Sequence, residues 1–193
     1  LGTTTFTTTD DNVYEGNETA GISVSGVSGG GASESGSQAV TITITENESA
    51  PTVTLSTSGS SIAENAGSSL TLTVTLSVAT TADVTVALST SGTATEGTDY
   101  TDGSGNIDDI TISAGSTTGT VNFTPTNDSV YEDDETATIA ISSVSGGSAT
   151  ESGTQSVTIT ISEDESAPTV TLSTSATSIA ENAGSSLTIT ATL

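Results

Sequence analysis

The sequence predicts an all-β chain, a string of antiparallel β-sandwiches. Three observations carry that prediction: alternation of apolar and polar residues, abundant β-branched residues, and one long internal repeat. Runs such as LTLTVTL (70–76) and SVTITIS (156–162) place Leu, Val or Ile at every second position with Thr between them, the period of a strand with one buried face. Ser and Thr together supply 76 of the 193 residues, which suits solvated strand faces and turns and leaves the cores thin. A charged fraction of only 12 % and few apolar residues would permit disorder, but disordered chains lack the regular Val, Ile and Thr pattern found here. Residues 10–76 align without a gap to residues 127–193, an offset of 117, with 49 identities in 67 positions. That period is too long for one coil of a solenoid and fits whole sandwich domains in series. The chain is read as the C-terminal part of one repeat (1–50), a complete repeat (51–167) and the N-terminal part of the next (168–193), a window expected from a longer chain.

Within the complete repeat the strands follow in order. Val53 and Leu55 alternate with Thr52 and Thr54, and Leu70, Leu72, Val74 and Leu76 with Thr71, Thr73 and Thr75. Val84, Val86 and Leu88 mark a third strand, then Ile110 and Ile112, Val121 and Phe123, Ala137, Ile139 and Ile141, and Val157, Ile159 and Ile161 mark four more. Seven short strands with one apolar face each describe two antiparallel sheets packed face to face, a seven-stranded immunoglobulin-like sandwich. Turn signals separate them: AENAG at 63–67, SGTATEGTDYTDGSGNIDD at 91–109, SAGSTTG at 113–119 and SGGSATESG at 145–153. The linker ESAP (165–168) is short and holds a Pro, so the joint is semi-rigid once its carboxylates are clamped.

The charge inventory is one-sided: 24 Asp plus Glu against no Lys, Arg or His, a formal net charge of −24. Without cationic side chains the usual means of holding phosphate is missing, so no nucleic-acid partner and no attraction to anionic lipid is expected. No apolar run approaches the length of a membrane span, and no signal peptide pattern is present; the sequence starts at Leu1 rather than Met, so targeting signals are expected outside it. Most catalytic classes fail on the same inventory. Lacking His, Cys and Lys, the chain has no ordinary triad base, thiolate, Schiff-base amine or usual zinc ligands. A two-carboxylate glycosidase needs an aromatic-walled cleft, and five aromatic residues with no Trp do not supply one. The chain is read as not an enzyme. Uncompensated carboxylates point instead to metal cations.

The acidic positions fall at strand ends. NDSVYEDDE (127–135) packs five carboxylates into nine residues after the strand-like TVNFTPT, and its copy DDNVYEGNE (10–18) follows TTTFTTT. Glu64, Asp99 and the group Glu163, Asp164 and Glu165 are the other acidic strand ends of the complete repeat. Calcium prefers six to eight hard oxygens, and loops at one end of a sandwich bring such groups together from distant positions. The stretch 127–135 begins where the fifth strand ends and 163–165 where the seventh ends, so both sit at one pole. The competing reading is a set of solvated turns, in which Asp, Asn and Glu are common anyway. A second candidate is DGSGNIDD (102–109), whose Asp102, Ser104, Asn106 and Asp108 alternate like the first oxygens of a calcium loop but lack the downstream Glu.

Across 52–166 the sequence resembles the Calx-beta domain of sodium–calcium exchangers and of bacterial surface proteins. The resemblance rests on I-x-E-x-x-G at 62–67, G-T-A-x-x-G-x-D-Y at 92–100, Asn127 and Asp128 followed by Glu132 and Glu135, and the acidic triplet Glu163, Asp164 and Glu165. It implies calcium (Ca2+) held by Glu64, Asp99, Asp128, Glu132, Glu135, Glu163, Asp164 and Glu165. For the earlier copy it implies Asp10, Asp11, Glu15 and Glu18 meeting Glu46 and Glu48. Affinity is expected toward the extracellular range, roughly 10⁻⁴ to 10⁻³ M. The function expected is a structural repeat of an extended extracellular stalk, adhesin or surface filament, cell-surface or secreted, rigidified by calcium at the junctions between modules. Its partners would be calcium ions, neighbouring repeats of the same chain and other copies in a fibre. The alternative is an adhesive module binding glycans or neighbouring fibres through loops or outward Thr rows such as Thr71, Thr73 and Thr75.

Overall fold

Among the described residues, which are 2–181, 184 and 186–193 of the computed structural model, all regular structure is β. Leu1 of the 1–50 segment and Asn182, Ala183 and Ser185 of the 168–193 segment lie outside the described residues. In chain order the strands are β1 Val13–Tyr14, β2 Glu18–Ser23, β3 Ala39–Ile44, β4 Thr52–Thr57, β5 Ser61–Ala63, β6 Leu70–Leu76, β7 Ala79–Thr80 and β8 Val84–Gly92. They continue as β9 Tyr100–Thr101, β10 Ile110–Ile112, β11 Thr118–Pro125, β12 Glu135–Ser145, β13 Thr150–Glu151, β14 Ser156–Ser162, β15 Thr171–Thr174 and β16 Ile189–Thr192. The seven strands expected of the complete repeat are β4, β6, β8, β10, β11, β12 and β14. The additions β5, β7, β9 and β13 are two or three residues long and lack the alternating pair of large apolar residues that Ile110 and Ile112 give the equally short β10.

Two five-stranded sheets, ordered β10-β8-β12-β14-β5 and β13-β4-β6-β11-β9, form the sandwich. Their facing side chains make one core in which Val53, Leu72, Val74 and Phe123 from one sheet meet Val86, Ile112, Ile139 and Ile159 from the other, all at most 1 % exposed. The sheets are antiparallel except at their edges, where β5 runs parallel to β14 and β13 parallel to β4. The outward Thr rows pair with each other across strands, as where Thr138 Oγ1 and Thr158 Oγ1 lie 2.9 Å apart, so their exposure follows from sheet packing.

Segments 1–50 and 168–193 each hold a hairpin with the register of its counterpart 117 positions away. In the hairpin β2–β3, Glu18 stands opposite Ile44, as Glu135 stands opposite Ile161 between β12 and β14. In β15–β16, Leu172 faces Ala191, as Leu55 faces Val74 between β4 and β6. Sequence identity at an offset of 117 thus carries the same pairing.

The G-T-A-x-x-G-x-D-Y run has a specific structural task. Thr136 carbonyl oxygen accepts from both Thr93 N (2.9 Å) and Ala94 N (3.0 Å), which requires the chain to pass directly over it at Gly92. There φ is +132°, and an added Cβ would lie 2.0 Å from that oxygen. The chain then turns, with Asp99 N and Thr98 N both donating to Thr95 O, and delivers Tyr100 into the core, stacked on Phe123 with ring centroids 4.6 Å apart. Asp99 is thereby fixed at the sandwich end, one residue outside the core anchor.

Gly92→Ala is expected to cost at least about 2 kcal/mol, because a non-Gly residue pays both for the positive φ and for the displaced carbonyl. Gly67→Ala, at φ +61° with open space around it, should cost only about 1 kcal/mol. Urea unfolding followed by circular dichroism ranks the two.

Candidate metal centre

Strand pairing brings the carboxylates together. Because β5 lies parallel to β14 with Ala63 opposite Ser162, the next residue on each strand, Glu64 and Glu163, leaves the sheet side by side. Glu64 N donates to Ser162 O at 3.0 Å, closing the pair. On the other sheet β9 pairs with the end of β11, Tyr100 opposite Pro125, and Thr126 N donates to Asp99 O at 2.9 Å. Both tips point to the pole where β12 begins at Glu135.

Two acidic groups result. In Glu64, Glu163, Asp164 and Glu165, one carboxylate oxygen from each lies within 4.8 Å of the others, and Asp99, Glu132 and Glu135 form a second such group. A small cleft lined by Glu64, Asp99, Thr126, Glu132, Glu135 and Glu163 joins them. Seven of the eight positions singled out in this repeat are therefore gathered. Asp128 stands apart: its Oδ1 accepts from Val130 N at 2.6 Å, and its own N–H donates to Glu64 Oε1 at 2.9 Å. It shapes the acidic turn and orients Glu64.

At the first pole Asp10, Asp11, Glu15, Glu18, Glu46 and Glu48 line one cleft. Three of the four amide contacts of Glu46 recur at Glu163; that of Gly16 N does not. Glu46 Oε2 accepts from Glu15 N and Gly16 N, and its Oε1 from Asn47 N and Glu48 N. Glu163, 117 residues later, accepts from Glu132 N, Asp164 N and Glu165 N. These amides hold the Glu46 and Glu163 carboxyls down at about 2, so both stay ionised at any ordinary pH.

Their neighbours move the other way. Burial pushes Glu135 up to about 7, with the Asp99 carboxylate and then Glu132 and Glu64 adding to it. Glu165 also reaches about 7, chiefly through its contact with the Glu163 carboxyl and then through burial. Glu132 is raised by burial and by Asp99, Glu15 chiefly by the charge of Glu18, and Glu48 by its contact with Glu46. Glu64 is 7 % exposed with no Lys, Arg or His in the chain to face it. The test of fit is Glu165 Oε2, which is buried and has no hydrogen-bond partner. An orphaned anionic oxygen inside a ring of carboxylates suits a hard divalent cation, which takes oxygen ligands and supplies the missing positive charge.

Several supporting residues gave no sequence signal of their own. Asp134 Oδ1 caps Glu163 N at 3.0 Å, as Asn17 Oδ1 caps Glu46 N at 2.9 Å; only the offset of 117 connects them. Asn65 Nδ2 donates to Asp164 Oδ2 at 2.7 Å. Asp133 sits at φ +69°, where the other copy has Gly16 at +75°, so a left-handed residue is built into the acidic turn. The DGSGNIDD stretch is a turn: Asp102 Oδ1 accepts from Ser104 N, Ser104 Oγ and Gly105 N. Those bonds occupy its carboxylate and lower its pKa.

Residues 46–165 match the Calx-beta domain family, and the chain belongs to that family. Sixteen chains of known structure match it. Among them, the crystal structure of the apo-form Calx CBD1 domain is 21 % identical with a TM-score of 0.47, covering 58 % of this chain and 98 % of its own. The crystal structure of CBD12 from CALX1.2 is 21 % identical with a TM-score of 0.46, covering 57 % of this chain and 44 % of its own. A search of curated proteins finds no match. Among the described residues no helix is long and apolar enough to cross a membrane.

The pKa directions predict the pH dependence of the cation-free protein. Glu135 and Glu165, raised from 4.5 to about 7 on folding, contribute stability that is present below the ordinary value and lost as pH rises through 7. Glu163, depressed to about 2, contributes stability present above 4.5 and lost only as pH falls toward 2. Melting in chelator should therefore be higher at pH 5 than at pH 8, and Glu135→Gln should shrink that difference.

Proposed function

We infer that this chain is part of a series of structural repeats forming an extended extracellular stalk, adhesin or surface filament, rigidified by calcium bound at the joints between repeats. The observation that carries the reading is the recurrence of one acidic arrangement at an offset of 117, at the end of each repeat and beside the linker to the next. The segments 1–50, 51–167 and 168–193 are then consecutive members of the series. A recognition site is usually unique and carried on variable loops, whereas near-identical neighbours suit a spacer.

Calcium would be held by Glu64, Glu163, Asp164 and Glu165 in one group and by Asp99, Glu132 and Glu135 in the other, with Asp128 beside them offering its second carboxylate oxygen as Asp11 would at the earlier joint. At the earlier joint the holders would be Asp10, Asp11, Glu15, Glu18, Glu46 and Glu48. The ion supplies charge neutralisation and cross-bridging; the protein supplies a preset cage in which Glu163 and Glu46 are already ionised and braced by amides. Weak affinity in the range of roughly 10⁻⁴ to 10⁻³ M fits a medium rich in calcium, which is why the reading is extracellular. Tying the stretch 127–135 to the linker acids restricts bending at each joint. No catalytic role is assigned.

At a calcium concentration of 100 times Kd, an ion that binds only the folded form adds about 2.7 kcal/mol, so calcium should raise the melting temperature by several degrees and chelator should reverse it. Glu165→Gln gives a sharper test because its sign changes. Removing one charge should stabilise the protein in chelator and weaken the calcium-induced rise. Differential scanning calorimetry measures both, and an identical curve in calcium and chelator would count against the reading. Small-angle scattering of the same samples should show the chain stiffening with calcium.

A further inference from the structure

Inside the acidic run of each copy lies an apolar pair with no role in holding cations: Val13 and Tyr14 in DDNVYEGNE, Val130 and Tyr131 in NDSVYEDDE. Four of the seven other positions in these nine-residue runs differ between the copies, while Val and Tyr are the same in both. Their surroundings are not. Val13 and Tyr14 form β1, half-buried and paired in parallel with β7 of the following repeat, Val13 opposite Ala79 and Tyr14 opposite Thr80. Val130 and Tyr131 belong to no strand and are 57 % and 37 % exposed. Among the described residues, β1–β7 is the one strand pairing that joins segment 1–50 to segment 51–167.

Both partners are preset for this pairing. On the donor side Asp11 Oδ1 accepts from Val13 N at 2.9 Å and Glu46 holds Glu15 N and Gly16 N, so the pair is braced at both ends. The unpaired copy keeps the brace at its first end, Asp128 Oδ1 on Val130 N, while its Tyr131 OH donates to Asp133, where the first copy has Gly16. On the acceptor side Ala79 and Thr80 are buried. Thr80 O accepts from Gly115 N at 2.8 Å, and its Oγ1 donates to Ala82 O. Gly147 packs so closely over Thr80 that an added Cβ would meet its Oγ1 at 2.8 Å. A two-residue ladder is marginal alone, but two rigid edges lose little entropy on pairing.

We propose that the Val–Tyr pair of each acidic run is a docking strand, which each repeat adds in parallel to the Ala–Thr edge of the repeat that follows. Val130 and Tyr131 are then the surface that receives the corresponding edge of a further copy. The inference rests on the tandem-repeat reading above and adds a main-chain joint to the cation-holding pole.

The chain has no Cys, so engineered thiols report cleanly. Parallel neighbours lie about 4.8 Å apart, within the Cα range of roughly 4.4 to 6.8 Å that a disulfide spans. In the full chain, Val13→Cys with Ala79→Cys should oxidise to an intrachain disulfide at least tenfold faster than the control pair Val130→Cys with Ala79→Cys. Circular dichroism checks the folding of every variant, and Tyr14→Cys with Thr80→Cys serves as an independent second pair at the next register position. Each pair is run in calcium and in chelator beside a calorimetric calcium titration. Fast closure of either pair in either medium supports the proposal. Rates no faster than the control in both media overturn it, even if calcium binds. Closure without any calcium binding leaves the docking strand standing and removes the calcium joint instead.

Discussion

Like charges held a few ångströms apart must be bridged, protonated or spread, and this chain has no cationic side chain with which to bridge them. The pole of the complete repeat nevertheless gathers seven carboxylates in two adjoining groups. The crowding divides the carboxyls: Glu135 and Glu165 are pushed up to about 7 while main-chain amides hold Glu163 at about 2. A site whose carboxyls are pushed toward holding protons is one where a divalent cation would relieve the same repulsion, because the oxygens are already gathered. Everything else in the repeat is arranged around that pole.

The arrangement depends on edges rather than on the core. Parallel addition of β5 to β14 aligns Glu64 with Glu163, and the passage of Gly92 over Thr136 sets the turn that ends in Asp99. Tyr100, stacked on Phe123, ties that turn to the hydrophobic interior, so packing energy is spent on placing a charge. Glu163 and Glu46 accept main-chain amides from the acidic runs, which couples the linker acids to the loop that also carries the Val–Tyr pair. The acidic groups around Glu46 and the β1–β7 pairing therefore lie on one loop, Glu46 holding Glu15 N and Gly16 N directly after Val13 and Tyr14.

Much of this was legible in the sequence. The seven expected strands announced themselves by period two, and the offset of 117 marked a repeat whose hairpins β2–β3 and β12–β14 share a register. Acidic strand ends pointed to the pole because turns collect there in any sandwich. What escaped was set by tertiary placement. Asp128 also turns one carboxylate oxygen to Val130 N, a contact that no spacing rule predicts. Asp102 and Ser104 alternate like ion ligands yet close their own turn. The short β5 and β7 carry no periodic signal, although one aligns Glu64 and the other receives Val13 and Tyr14.

Anomalous diffraction from crystals of the same chain grown with calcium tests the central claim most directly. The account predicts density at the group of Glu64, Glu163 and Glu165, at Asp99, Glu132 and Glu135, and again at the cleft around Glu46. Anomalous density absent from all three, or confined to the DGSGNIDD turn, would contradict it.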